Sequence, residues 1–92
     1  MNIETTIKPK RSVKVRRRRY EDTIVLVHYN NFFYLDTLSD KVWLLFNGNN
    51  TIADVAIQVQ HDADLDLDSA LAATIYFYYH FSENKLLESN VC

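Results

Sequence analysis

The stretch TIVLVHYNNFFYLD, residues 23–36, constrains the fold more than any other part of the chain. Two runs of β-branched and aromatic side chains flank an Asn-Asn pair, and asparagine tolerates the positive φ of a tight two-residue turn. The spacing predicts a hairpin in which Tyr29 faces Phe32, Val27 faces Tyr34 and Leu26 faces Leu35. Side chains alternate across a strand, so Ile24, Leu26, Phe33 and Leu35 share one face. Val25, Val27, Tyr29, Phe32 and Tyr34 share the other. Both faces are apolar. One layer of helices covers only one of them, which leaves apolar surface over for something else.

Upstream, SVKVRRRR alternates Val13 and Val15 with Lys14 and Arg16, the pattern of a half-buried first strand. Downstream, three helices follow. TLSD (37–40) reads as a capping-box start, with Val42, Trp43, Leu45 and Phe46 as an apolar stripe before Gly48. TIAD (51–54) repeats that start, and Ile52, Val55, Ala56 and Val59 make the buried face of a second helix. The third helix is expected over 66–83, with acidic residues in its first turn where the macrodipole favours them. At roughly 100° per residue, Thr74, Phe77, Tyr78 and Phe81 cluster as its core face. Leu71, Ile75 and Tyr79 form a second apolar stripe, roughly 60 to 140° away from Thr74.

The sum is an α+β domain, winged helix-turn-helix-like, with a three-stranded antiparallel sheet followed by three helices. Its expected limits are 12–88, after a flexible N-terminal tail (1–11) and before a C-terminal tail (89–92). A chain of 92 residues supports one hydrophobic core, and 48% hydrophobic residues are too many for a disordered one.

The residue types exclude most chemistries. A single glycine rules out a glycine-rich phosphate loop, and a single cysteine, Cys92, rules out an intrachain disulfide or a cysteine zinc site. His28, His61 and His80 fall on a strand, a loop and a helix with no ligand spacing, and read as surface or partly buried side chains. DADLDLD lacks the glycine and the spaced glutamate of a calcium loop, and reads as helix-capping acid. No nucleophile-base arrangement is apparent, so neither an enzyme nor a cofactor is expected. With no signal-like segment and no apolar run of membrane-spanning length, the expected location is cytoplasmic, away from the membrane.

Charge offers a rival reading. Eight of the ten basic residues (Lys8, Lys10, Arg11, Lys14 and Arg16, Arg17, Arg18, Arg19) lie near the N-terminus, although the net charge is -2. A basic strand beside a helix-turn-helix is the footprint of a winged-helix DNA-binding regulator. Against it, residues 66–81 hold no lysine or arginine and start with aspartates, which repel phosphates. The arginines also suit a charged edge strand protected from aggregation.

The run TIVLVHYNNFFYLDTLSDKVWLLFNGNNTIADVAIQV, in this order of elements, resembles the PqqD-like family. Its members are recognition elements of pathways that make ribosomally synthesised, post-translationally modified peptides. The family's strand pair, its buried Ile-Trp or Val-Trp, its glycine and its helix-opening threonine look like residues 25–27, Tyr34-Leu35-Asp36, Val42-Trp43, Asn47-Gly48 and Thr51. The C-terminal part of the pattern looks like Phe77-Tyr78, Phe81 and Lys85-Leu86-Leu87. The resemblance spans about 13–87. Asp36 stands where asparagine is usual, Lys85 where glycine ends the last helix, and Tyr78 where an aliphatic residue is commoner.

The resemblance implies a non-catalytic module that binds the leader segment of a precursor peptide as an added strand. The expected site is Asn31, Phe32, Phe33, Tyr34 and Leu35 on the third strand, with Leu71, Ile75 and Tyr79 on the third helix. Asp68 and Ala72 border it. A separate modifying enzyme is the implied second partner, with residues 16–19 and the rings of Phe32 and Tyr34 as candidates for its surface. An unfilled edge strand also pairs readily with its own copy, which keeps a homodimer open.

Overall fold

In a computed structural model that describes residues 6–88, the hairpin forms around Tyr29 and Asn30, not around the Asn-Asn pair. Strand β2 (Thr23–His28) pairs antiparallel with β3 (Asn31–Leu35), and His28 opposes Asn31. Tyr29 takes the left-handed φ of 57° that the turn needs. The pairs are therefore Ile24 with Leu35, Val25 with Tyr34, Leu26 with Phe33 and Val27 with Phe32, two residues out of the expected register. A slip of two keeps the paired side chains on their faces, so the two face sets stand as read from the sequence except for Tyr29, which leaves its strand for the turn.

Strand β1 (Arg16–Tyr20) pairs antiparallel with β2 through a turn at Glu21 and Asp22, giving the sheet order β1-β2-β3. This corrects the expected strand over Val13 and Val15. Tyr20 opposite Thr23 fixes the register, and Arg16 then meets Val27 near the end of β2. Val13 and Val15 lie before that ladder begins, in a turn where the Val15 amide donates to the Ser12 carbonyl at 3.2 Å. Val13 is exposed, while Val15 leans on the core.

Helix α1 (Thr37–Leu45) follows β3 with only Asp36 between them. Its cap sits one residue earlier than the TLSD reading placed it. The Ser39 amide donates to the Asp36 carboxylate at 2.8 Å, and the Asp36 amide donates to the Ser39 hydroxyl at 2.9 Å. Helix α2 (Ile52–Ala63) starts as expected at Thr51, with Asp54 closing the box. Helix α3 (Leu67–Glu83) is capped by Asp66.

The core gathers Leu26 from the sheet, Val42, Trp43 and Phe46, then Ile52, Val55 and Val59 from α2, and Ala70 and Phe81 from α3. Phe81 is its hub, edge-on to Trp43 (5.4 Å) and to Phe46 (6.1 Å). Burying a ring of this size contributes roughly 1.5–3 kcal/mol. The one buried hydroxyl of α3, on Thr74, donates to the Ala70 carbonyl at 2.8 Å and so carries no desolvation penalty.

The expected tail over 1–11 needs correction in its described part. The Ile52 amide donates to the Ile7 carbonyl, Gly48 to Pro9, and Arg11 to Phe46 (2.9–3.1 Å). On the other side Ser12 donates to Leu86 and Glu88 to Lys10. The segment thus clasps the α1–α2 turn to residues 86–88, and Pro9 is buried. Gly48, at φ 84°, has the Lys10 side chain 3.2 Å from where a Cβ would stand. The Arg11 guanidinium donates to the carbonyls of Trp43 and Leu44, where the negative end of α1 favours a cation. Residues 1–5 and the expected tail 89–92 lie outside the described residues.

The hydrogen bonds from Ser39 hold the Asp36 carboxyl below the usual carboxylate range. A carboxylate with a depressed folded pKa gives stability that is complete above its unfolded value, about 3.9, and is lost as pH falls through the folded one. Asp36→Ala is expected to cost about 1 kcal/mol at neutral pH, with the deficit shrinking below about pH 4. Urea denaturation of both proteins at neutral and acid pH measures it. A deficit unchanged in acid would assign the effect to geometry and not to charge.

Candidate functional site

The sheet has two open edges of opposite character. Along β1 the edge carries Arg16, Arg17, Arg18 and Arg19, the charge that keeps a strand from recruiting another. Along β3 it carries Asn31, Phe32, Phe33, Tyr34 and Leu35 and no charge at all. His28 and Asn31 close a two-residue turn and so exchange hydrogen bonds, as do every second pair beyond them. The amides and carbonyls of Asn31, Phe33 and Leu35 therefore point into the sheet. Those of Phe32 and Tyr34 point out of it, toward the open edge.

Beside that edge lies a cleft of about 610 Å³ between β3 and α3, lined by Tyr34, Leu35, Asp36, Ser39, Tyr76, Phe77, His80 and Phe81. Its α3 wall is a run of rings. Tyr76 and His80, one turn apart, stack at 5.9 Å with planes 6° from parallel, and Phe77 stacks on Phe81 at 6.0 Å. Asp36 supplies a carboxylate at the head of the cleft. The Ser39 hydroxyl beside it is committed to the cap, donating to that carboxylate at 2.8 Å while accepting from the Asp36 amide. The arrangement suits an extended chain: two outward amide–carbonyl sets from β3, and an aromatic wall for alternate side chains.

Of the expected residues, the structure brings Tyr34 and Leu35 of β3 to this cleft; Asn31, Phe32 and Phe33 lie along the strand outside its lining, and none of the expected α3 residues lines it. With Thr74 as reference, Phe81, Phe77, His80 and Tyr76 lie roughly 20 to 160° to one side of the helix. Leu71, Ile75, Asp68, Tyr79 and Ala72 lie roughly 60 to 160° to the other. Leu71 and Ile75 are partly buried against the core, Asp68 and Ala72 are exposed, and Tyr79 is 37% exposed. Periodicity identifies two flanks of an amphipathic helix, but only packing decides which one turns toward β3. The signal that could have found Tyr76 and His80 was their i, i+4 spacing, which puts two rings on one exposed line.

A second cleft, of about 670 Å³, lies on the β1 side between the sheet, α1 and α2. Two of its cations are already paired. Arg17 makes a bidentate bridge to Asp40, with both N–O distances 2.8 Å, and Lys41 meets Asp62 at 3.1 Å. The Asp40 partner holds the Arg17 guanidinium above its usual pKa range. Arg17 therefore braces β1 on α1. Among the described residues no group of His, Cys, Asp and Glu could hold a metal ion, and no helix is long and apolar enough to cross a membrane.

No protein-family model matches this sequence, and no curated protein sequence matches it. A solved structure of TbiB1 in complex with the TbiA(beta) leader peptide does match, at a TM-score of 0.76 and 20% identity. The match covers 90% of this chain and 99% of that one. At that identity the likeness shows a shared fold, the three-stranded antiparallel sheet followed by three helices.

The two flanks of α3 are expected to behave differently when truncated. Ile75→Ala, on the half-buried flank, should lower stability by about 1–2 kcal/mol, whereas Tyr76→Ala should stay within about 0.5 kcal/mol. Urea denaturation of the two variants decides it. The reverse order would mean that Tyr76 carries the packing and Ile75 the open wall.

Proposed function

We propose that this protein recognises the leader segment of a ribosomally made precursor peptide by adding it as a strand to β3. One observation carries the reading: an uncharged strand edge, with the backbone groups of Phe32 and Tyr34 turned outward, lies against an aromatic cleft. Main-chain hydrogen bonds give such an interaction its affinity, and pockets for alternate side chains give it selectivity. The fold shared with TbiB1, whose solved structure holds a leader peptide, supports it. So does the resemblance of residues 13–87 to the PqqD-like family.

On this reading the peptide site comprises Asn31, Phe32, Phe33, Tyr34 and Leu35 with Tyr76, Phe77 and His80 across the cleft. Leu71 and Ile75 serve the core, and Asp68, Ala72 and Tyr79 border the helix on its far side. The protein acts in the cytoplasm, is not an enzyme and uses no cofactor. It delivers the bound peptide to a separate modifying enzyme. Holding the leader raises the core peptide's effective concentration at that enzyme to the millimolar range for a short flexible tether. Two observations count against the DNA-binding alternative. Arg17 is engaged by Asp40, and Asp66 and Asp68 stand at the start of α3 where bases would be read.

The edge mode makes a prediction that side-chain recognition does not share. Tyr34→Pro removes an outward amide and leaves the β2–β3 ladder intact, so the fold should persist while leader binding falls at least about tenfold. Tyr34→Thr keeps that amide and should lose less. Phe33→Pro removes a ladder bond to Leu26 and should destabilise the fold itself. Calorimetric titration with leader segments of short peptides encoded beside the gene, paired with circular dichroism, makes the comparison. Undiminished binding by a folded Tyr34→Pro protein would refute strand addition.

A further inference from the structure

The antiparallel ladder splits the arginine run. Arg17 and Arg19 oppose Leu26 and Ile24 and lie on the helix side of the sheet, while Arg16 and Arg18 oppose Val27 and Val25 on the outer side. Tyr20, Phe32 and Tyr34 share that outer face and are 58%, 60% and 75% exposed. Val25, on the same face, is only 3% exposed although the helices lie on the other side. Val25 shares a shallow cleft of about 420 Å³ with Tyr20, Glu21, Thr23, Phe32 and Tyr34. The result is one continuous patch of rings over a buried valine, with two cations at its side. Neither Arg16 nor Arg18 makes an ion pair among the described residues.

We propose that this outer face docks an acidic surface of a partner protein. Tyrosine, phenylalanine and arginine around an apolar centre are the side chains enriched in protein–protein interfaces, and two guanidiniums without an ion pair among the described residues select carboxylates. A second copy of the chain is a weaker match, because across a two-fold contact this face offers Arg16 and Arg18 mainly its own rings, with Glu21 and Asp22 of the turn as the nearby acids. Nucleic acid fits poorly too. Only two of the arginines face outward, too few for a basic stripe that follows a phosphate backbone, and the exposed rings call for apolar contact beside the charge. The proposal deepens the carrier reading, since a peptide strand on β3 would widen this face and meet whatever docks there. The patch itself exists without it.

The test uses the intact chain, isotope-labelled and free of peptide, titrated at low salt with a random copolymer of glutamate and tyrosine. The expected result is saturable shifts centred on Arg16, Arg18, Tyr20, Phe32 and Tyr34, weakened at least about tenfold in Arg16→Glu/Arg18→Glu. These side chains are exposed, so the double variant should keep its native spectrum. No shifts on this face, or equal binding by the folded double variant, overturns the proposal. So does tighter binding of an oligouridine or duplex DNA by the same residues, or dimerisation through the face in sedimentation. A parallel titration of both proteins with leader segments reads the β3 edge separately, through the helix-side signals of Tyr76 and His80. Failure of the outer face and failure of the peptide reading are thereby told apart.

Discussion

The pairing of β2 with β3 is the constraint on which the rest of the site depends. Once Tyr29 accepts a left-handed φ and His28 meets Asn31, the ladder decides which backbone groups of β3 are spent and which remain. It sends Leu26 and Phe33 toward the helices, and Phe32 and Tyr34 away from them. It also ends β3 at Leu35, so that Asp36 can cap α1 directly. With no loop between strand and helix, the edge of β3 and the head of α1 form one rigid corner. Helix α3 is held to that corner by Phe81, which packs on both Trp43 and Phe46 of the α1 segment.

Much of this was legible in the sequence, for identifiable reasons. The face sets of the hairpin survive a two-residue error in register because the strand period is two. The α2 face of Ile52, Val55, Ala56 and Val59 is buried as its periodicity indicates. The errors share a cause as well. Whether Val13 and Val15 or Arg16 and Arg18 pair with β2 depends on a turn at Glu21–Asp22 whose left-handed φ falls on Glu21, a residue type that does not announce it. The clasp formed by residues 7–12 is made of backbone hydrogen bonds, which leave no side-chain pattern to read. The flank of α3 that faces β3 follows from how the helix is rolled by Thr74 and Phe81 in the core. A helical wheel cannot choose between Ile75 and Tyr76.

The two edges of the sheet divide the labour of the molecule. Arginine along β1 repels a further strand and, through Arg17 and Asp40, braces the sheet on α1. On β3 the lack of charge and the outward amides favour one. On the proposed reading, a sheet with a single recruiting edge would take up one extended chain in one place, which suits recognition better than aggregation. The fold likeness to TbiB1 at 20% identity concerns the scaffold. The selectivity of this chain would lie in what lines its own cleft, chiefly Tyr76, Phe77 and His80.

The most direct measurement of the central claim is amide hydrogen exchange along β3, residue by residue, with and without a saturating leader segment. In the free protein the amides of Phe33 and Leu35 should exchange slowly and those of Phe32 and Tyr34 fast. With the peptide bound, exchange at Phe32 and Tyr34 should slow at least about tenfold. A peptide that binds while those two amides exchange as before would place its site elsewhere and contradict the account.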